Sequence, residues 1–241
     1  MSETPAVSPE HHGDHTHRDV NGGWLRPAVF GAMDGLVSNF ALIAGMDGGT
    51  HSGSKLIVLA GLAGLAAGAF SMAAGEYTSV ASQRELAHAE IEIERSEIRK
   101  HPIDEEIELA ETYRAKGLDP DLASKVAKQF HADPDQALEE HVREELGIDP
   151  SDLPNPLLAA ASSFICFGIG AFIPLAPYLF GAGSVIPSLI FSLTALFVCG
   201  AVVSRVTSRS WWYSGLRQLL LGAAAAGLTY FVGTLVGPGV G

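Results

Sequence analysis

Residues 56–100 read LIVLAGLAGLAAGAFSMAAGEYTSVASQRELAHAEIEIERSEIRK. The first part, Leu56 to Val80, carries one acid, Glu76, and is long enough to cross a hydrocarbon core of about 30 Å as a helix. The remainder is water-soluble, and Glu90, Glu94 and Glu97 recur at i, i+4 and i+7 on one helical face. A membrane span followed by a polar helical segment sets the fold class. The chain is expected to be an all-α integral membrane protein with a helical insert.

Outward from that stretch the same segregation holds. The 241 residues are 47% hydrophobic and 17% charged, too apolar for an ordinary soluble domain. Charge collects before residue 27 and between Ala81 and Asp152, where twenty Asp and Glu face nine Lys and Arg; no acid follows Asp152. A net charge of −12 argues against nucleic acid as a partner. Five runs have spanning length: Pro27–Met46, Leu56–Val80, Leu157–Phe180, Val185–Val203 and Trp212–Val236. Pro174 and Pro177 are expected to kink or break the third. Cys166 and Cys199, both in apolar runs, read as packing thiols. The first 26 residues are polar and His-rich, and no small-residue cleavage site follows the first run, so that run is expected to stay in the mature chain.

Charge bias orients the spans. With the amino terminus in the cytosol, fourteen of the fifteen Lys and Arg lie on the inner side and only Lys55 lies outside. The division expected is a tail over 1–26, two spans over 27–80, a cytosolic acidic domain over 81–152 and three spans over 153–241. Gly61, Gly64, Gly68 and Gly75, with alanines between them, suit close helix packing within one chain or between two.

In the insert, Pro102 ends the first helix. A second runs from about Ile103 to Lys116, and Asp119 and Asp133 cap a third and a fourth that ends at Gly147. Glu94 with Glu97 and Glu105 with Glu108 flank the turn at Pro102, so a hairpin can bring four carboxylates together. Without a cation they repel; with one they become a hard-ligand site. A solvated acidic face is the bland alternative.

Asp34 lies seven residues into the first span and Met72 eight residues from the inner end of the second, each roughly 10–12 Å deep. Glu76 is one turn from Met72 on the same face. A buried, unpaired carboxylate is costly, which points to a cation path, and the Met72 thioether favours transition metals. The alternative is a protonated Asp34 hydrogen-bonded to Ser38 or Asn39.

At these residues the chain resembles the vacuolar iron transporter family. The resemblance rests on Phe30-Gly31-Ala32-Met33-Asp34-Gly35-Leu36-Val37 and on Ala67-Gly68-Ala69-Phe70-Ser71-Met72-Ala73-Ala74-Gly75-Glu76-Tyr77, and extends from Arg26 to the last span. It implies a homodimer whose path lies at the dimer interface, formed by the first two spans, and exchange of Fe²⁺, Mn²⁺ or Zn²⁺ for protons, with the metal as substrate and bound ion and no prosthetic group. Asp34 and Met72 match its membrane metal path; Glu94, Glu97, Glu105, Glu108 and Glu145 match its insert ligands. Two departures follow. A glutamate expected eight residues before Met72 is Gly64, so Glu76 is expected to take its role, and a Met-Met pair is His141-Val142. An imidazole at 141 makes metal affinity fall between about pH 7 and 5.5. A plasma-membrane location with a cytosolic insert is expected.

Two other classes compete. A di-iron oxidase needs two Glu-x-x-His motifs, and the chain has one, Glu85-Leu86-Ala87-His88. A metal sensor anchored by its spans has no need of Asp34 and Glu76. The tail segment His11-His12-Gly13-Asp14-His15-Thr16-His17 is a weak metal binder or a plain tail.

Overall fold

The structure is a computed structural model that describes residues 23–49, 54–207 and 209–237. The His-rich tail motif lies outside the described residues. In order come α1 (Leu25–Gly49), α2 (Ser54–Lys100), α3 (Pro102–Ala115), α4 (Pro120–Phe130), α5 (Pro134–His141), a π-helical turn (Val142–Leu146), α6 (Pro156–Leu179), α7 (Val185–Thr207) and α8 (Trp211–Val236). No strand occurs among the described residues. Helices α1, α2, α6, α7 and α8 are long and apolar enough to cross a membrane, which makes this a multi-pass membrane protein.

α1 is the hub. It packs most extensively on α6 and α8, while α2 leans chiefly on α6. Of the most apolar window, 44% is buried in α1 and 11% in α8, so α1 is central and α8 peripheral. Close approach of α1 and α6 comes from two glycines: a Cβ on Gly35 would collide with the Phe167 carbonyl, and one on Gly170 with the Ala32 carbonyl. Leu36, Phe40 and Ala44 then meet Leu196 and Ala226 in a continuous core. Thr229 Oγ1 donates to the Ala41 carbonyl at 2.7 Å, tying α8 to α1. Outward-facing Leu220, Leu228 and Phe231 present an apolar surface suited to lipid. Cys166 and Cys199 are free and half-buried.

The structure departs from the sequence reading in three places. The second span and the first helix of the insert are one 47-residue rod, about 70 Å long, rather than two helices parted near Val80. Neither Gly nor Pro lies between Glu76 and Lys100, so nothing interrupts the hydrogen-bond ladder. Of the kink or break expected at Pro174 and Pro177, the break does not occur, since α6 runs on to Leu179. Pro174 is fully buried, and Ser188 Oγ of α7 donates to its carbonyl at 2.6 Å, which holds that turn against its neighbour. Helix α1 also begins at Leu25, which brings Arg26 from the tail onto its first turn.

Beyond the membrane-spanning half of α2, the insert folds on two small cores. Ile91 and Ile98 of α2 pack with Ala137, Leu138 and Val142. Leu109 and Ala110 of α3 pack with Ala127 of α4, flanked by Tyr113 and Phe130. Asp119 caps α4 by accepting from the backbone N–H of Asp121 and Leu122, Asp133 caps α5 through Asp135, and Gly147 closes the π-turn with φ +64°.

Candidate metal centres

Asp34 sits half-buried on the outward flank of α1 and faces the second span across an open cleft of about 300 Å³. Ser38 and Asn39 of α1, and Gly64, Gly68, Ser71 and Met72 of α2, share that cleft. The absence of a side chain at Gly64 leaves room beside the Asn39 Oδ1: a Cβ there would lie 3.2 Å from that oxygen. Asn39 is 3% exposed, and its amide nitrogen donates to the Ala171 carbonyl at 2.6 Å. That bond fixes the amide and leaves Oδ1 buried beside Gly64, with no hydrogen-bond partner among the described residues. The bond also goes to α6, not to Asp34. A carboxylate, an amide oxygen and a thioether therefore line one space, a donor set for a divalent transition metal.

A second space of about 200 Å³ continues from the first through Ser71 and Met72, and reaches Gly75, Glu76 and Arg26. Glu76 is buried, with Oε2 unpartnered among the described residues. Arg26 at the mouth is the one guanidinium lining either space, a cationic neighbour that the span-by-span reading had not supplied.

The insert gathers a different set. One donor atom each from Glu94, Glu105, His141 and Glu145 lies within 4.8 Å of all the others. His141 ends α5 and is completely buried. Its Nδ1 lies 2.8 Å from Glu145 Oε1, 3.2 Å from Glu94 Oε1 and 3.8 Å from Glu105 Oε2. The π-turn places Glu145 beside the ring, and such turns concentrate at functional sites. Burial, then the neighbouring Glu145, Glu105 and Glu108 carboxylates, push Glu94 up to about 7, against the pull of His141. Burial raises Glu105 as well, helped by Glu108, Glu145 and Glu97.

Of the four carboxylates expected to converge, the structure brings together Glu94 and Glu105. Glu97 turns to Lys100 at 3.6 Å and His101 at 3.9 Å, and Glu108 is exposed. Residues three apart on a helix differ by about 60° around the axis, so one member of each pair faces inward and the other lies at the rim. Glu85 and His88 of the single Glu-x-x-His motif are exposed on α2 and lie outside this group. The sequence reading missed His131, whose Nε2 lies 3.0 Å from His141 Nε2, and Asn39 as a cleft residue. Burial and then His141 lower the pKa of His131, against the pull of Glu106. No periodic signal joins positions 131 and 141, because a turn separates them.

Residues 25–234 match the sequence profile of the VIT family. Vacuolar iron transporter 2 of Oryza sativa subsp. japonica is 31% identical over 221 residues, 90% of this chain and 89% of that protein. Vacuolar iron transporter 1 of Arabidopsis thaliana is 31% identical over 226 residues, covering 92% and 90%. The vacuolar iron transporter of Acanthamoeba castellanii is 36% identical over 221 residues, covering 88% and 78%. The family and these names are those of transporters, not enzymes, which removes the oxidase. The matched region takes in all five spans and the insert, and the chain belongs to the VIT family.

Proposed function

We propose that the protein is a secondary transporter that moves Fe²⁺, and related divalent metals such as Mn²⁺, out of the cytosol in exchange for protons. The observation that carries this reading is the pair of joined spaces that line Asp34, Met72 and Glu76 along α1 and α2. Metal donors are useful at that depth only if a cation passes them. The relatives named as iron transporters support iron as the cargo. The positive-inside bias favours a cytosolic insert, with residues 81–152 as its metal-binding domain. Glu94, Glu105, His141 and Glu145 capture the ion there, and Glu97 and Glu108 draw it in from the rim.

The cleft is open on its outer side, where Ser38, Ser71 and Gly75 are exposed. A second copy packed there converts a groove into a path, so the working unit is a homodimer. We place it in the plasma membrane; the relatives are vacuolar by name, and both locations remove metal from the cytosol.

Liposomes containing the protein test this directly, by recording Fe²⁺ entry and internal pH together. Exchange predicts that the lumen turns alkaline as metal enters. Metal entry at constant internal pH would overturn proton exchange, and no entry would overturn transport.

A further inference from the structure

We infer that His131 is a positioning residue for the insert's metal site: it sets the tautomer of His141 and so turns the Nδ1 lone pair of that ring toward a divalent cation. The inference rests on the metal reading of the insert and adds to it a residue outside the four-donor group. The two edges of the His141 ring face different surroundings. Nδ1 looks at Glu145, Glu94 and Glu105, at 2.8, 3.2 and 3.8 Å. Nε2 looks at His131 Nε2 at 3.0 Å, with the two rings edge-on at 81°. His141 is 0% exposed, so water does not take the place of either neighbour.

A hydrogen bond between two imidazole nitrogens needs one N–H and one lone pair. Without metal, Nδ1–H of His141 donates to Glu145, and Nε2 accepts from the N–H of His131. A metal at Nδ1 requires the opposite arrangement. The proton of His141 then sits on Nε2 and is donated to His131, whose own proton moves to its Nδ1. With one proton on each ring, the pair changes tautomer and not proton count. Metal-bound histidines generally donate the second N–H to a fixed acceptor, and removing that acceptor weakens the metal roughly 10- to 100-fold. Here the acceptor is a second imidazole. Joint ligation by the two Nε2 atoms is the competing geometry, but the carboxylates converge on the other edge of the ring, away from such an ion.

The test uses full-length protein in detergent with His11, His12, His15 and His17 replaced by serine, Co²⁺ as probe, calorimetry for affinity and X-ray absorption for the number of bound imidazoles. The insert's component is the binding lost in a Glu94→Gln, Glu105→Gln control. His131→Phe is expected to weaken that component about 10- to 100-fold while the imidazole count stays the same. His131→Gln, which keeps an acceptor oxygen, is expected to recover most of the loss. Unchanged affinity in His131→Phe, a Gln variant as weak as Phe, or the loss of one bound imidazole would each overturn the positioning role. If the Glu94→Gln, Glu105→Gln control binds Co²⁺ like wild type, the metal reading of the insert fails on its own, whatever His131 does.

Discussion

Two carboxylates stand in different surroundings in this chain, and each makes its own prediction. Asp34 lines the membrane cleft without a hydrogen bond among the described residues, so its carboxyl oxygens are open to a cation. Asp34→Asn keeps the size of the side chain and removes the charge, and is expected to reduce Fe²⁺ flux into liposomes at least tenfold at equal protein level. Glu94 is governed by its neighbours. Its carboxyl titrates near 7 in the folded protein against an ordinary value of 4.5. A carboxyl raised on folding supports stability below its unfolded value, and that support is lost as pH rises through the folded one. The Glu94 contribution to stability of the metal-free insert is therefore full below about pH 4.5 and is lost by about pH 7. Metal binding runs the other way: below about pH 7 a proton competes with the ion, and affinity falls roughly tenfold per pH unit for one proton displaced. Glu94→Gln should protect α5 from hydrogen exchange above pH 7 without metal, and should weaken metal binding at every pH. His141→Met removes a nitrogen donor but leaves the Glu94 contribution, so metal binding should weaken and still fall with pH.

Helix α2 joins the membrane cleft to the four-donor group of the insert. Met72 and Glu76 lie in its membrane half and Glu94 lies further along the same uninterrupted rod, so the metal set of the insert is held at a defined distance from the cleft. A proline at Ser82 removes a ladder hydrogen bond and clashes with the preceding turn, at a cost of about 3 kcal/mol. Ser82→Pro is expected to slow transport several-fold while calorimetry still finds metal bound to the insert. Loss of both together would mean that α2 serves only as scaffold. The same element separates inner from rim glutamates. Glu94→Ala with Glu105→Ala should weaken insert binding far more than Glu97→Ala with Glu108→Ala, because the first pair faces His141 and the second faces water.

For the whole molecule the decisive surface is the open side of the cleft. Gly68 and Gly61 are used within the chain, where an added Cβ would strike Phe167 and Leu175; nothing lies within 4 Å of the position a Cβ would take at Gly75. Small residues at spacings of three and four permit close helix approach. Part of the small-residue pattern of α2 is thus consumed by α6, and the remainder is free for a second copy. Gly75→Leu is expected to leave the fold of the single chain intact, and to shift the protein from dimer to monomer in light scattering with loss of flux. A dimer that persists with full flux would place the interface elsewhere.

Five spans, the two intramembrane acids on neighbouring helices, and the caps at Asp119 and Asp133 were legible in the amino-acid order. Hydrophobic length, helical period and capping are local properties, set by residues within a few turns of one another. The continuity of α2 was missed because a change from apolar to polar composition resembles a boundary, although no residue there breaks the helix. What tertiary structure alone decided is which donors meet. Glu105 reaches Glu94 and Glu97 does not, the Asn39 oxygen lies beside Gly64, and His131 meets His141. Each of these meetings depends on how helices distant in sequence rotate and cross. That geometry is fixed by packing such as the glycine contacts of α1 with α6 and the Ile91–Leu138 core, which no local pattern encodes.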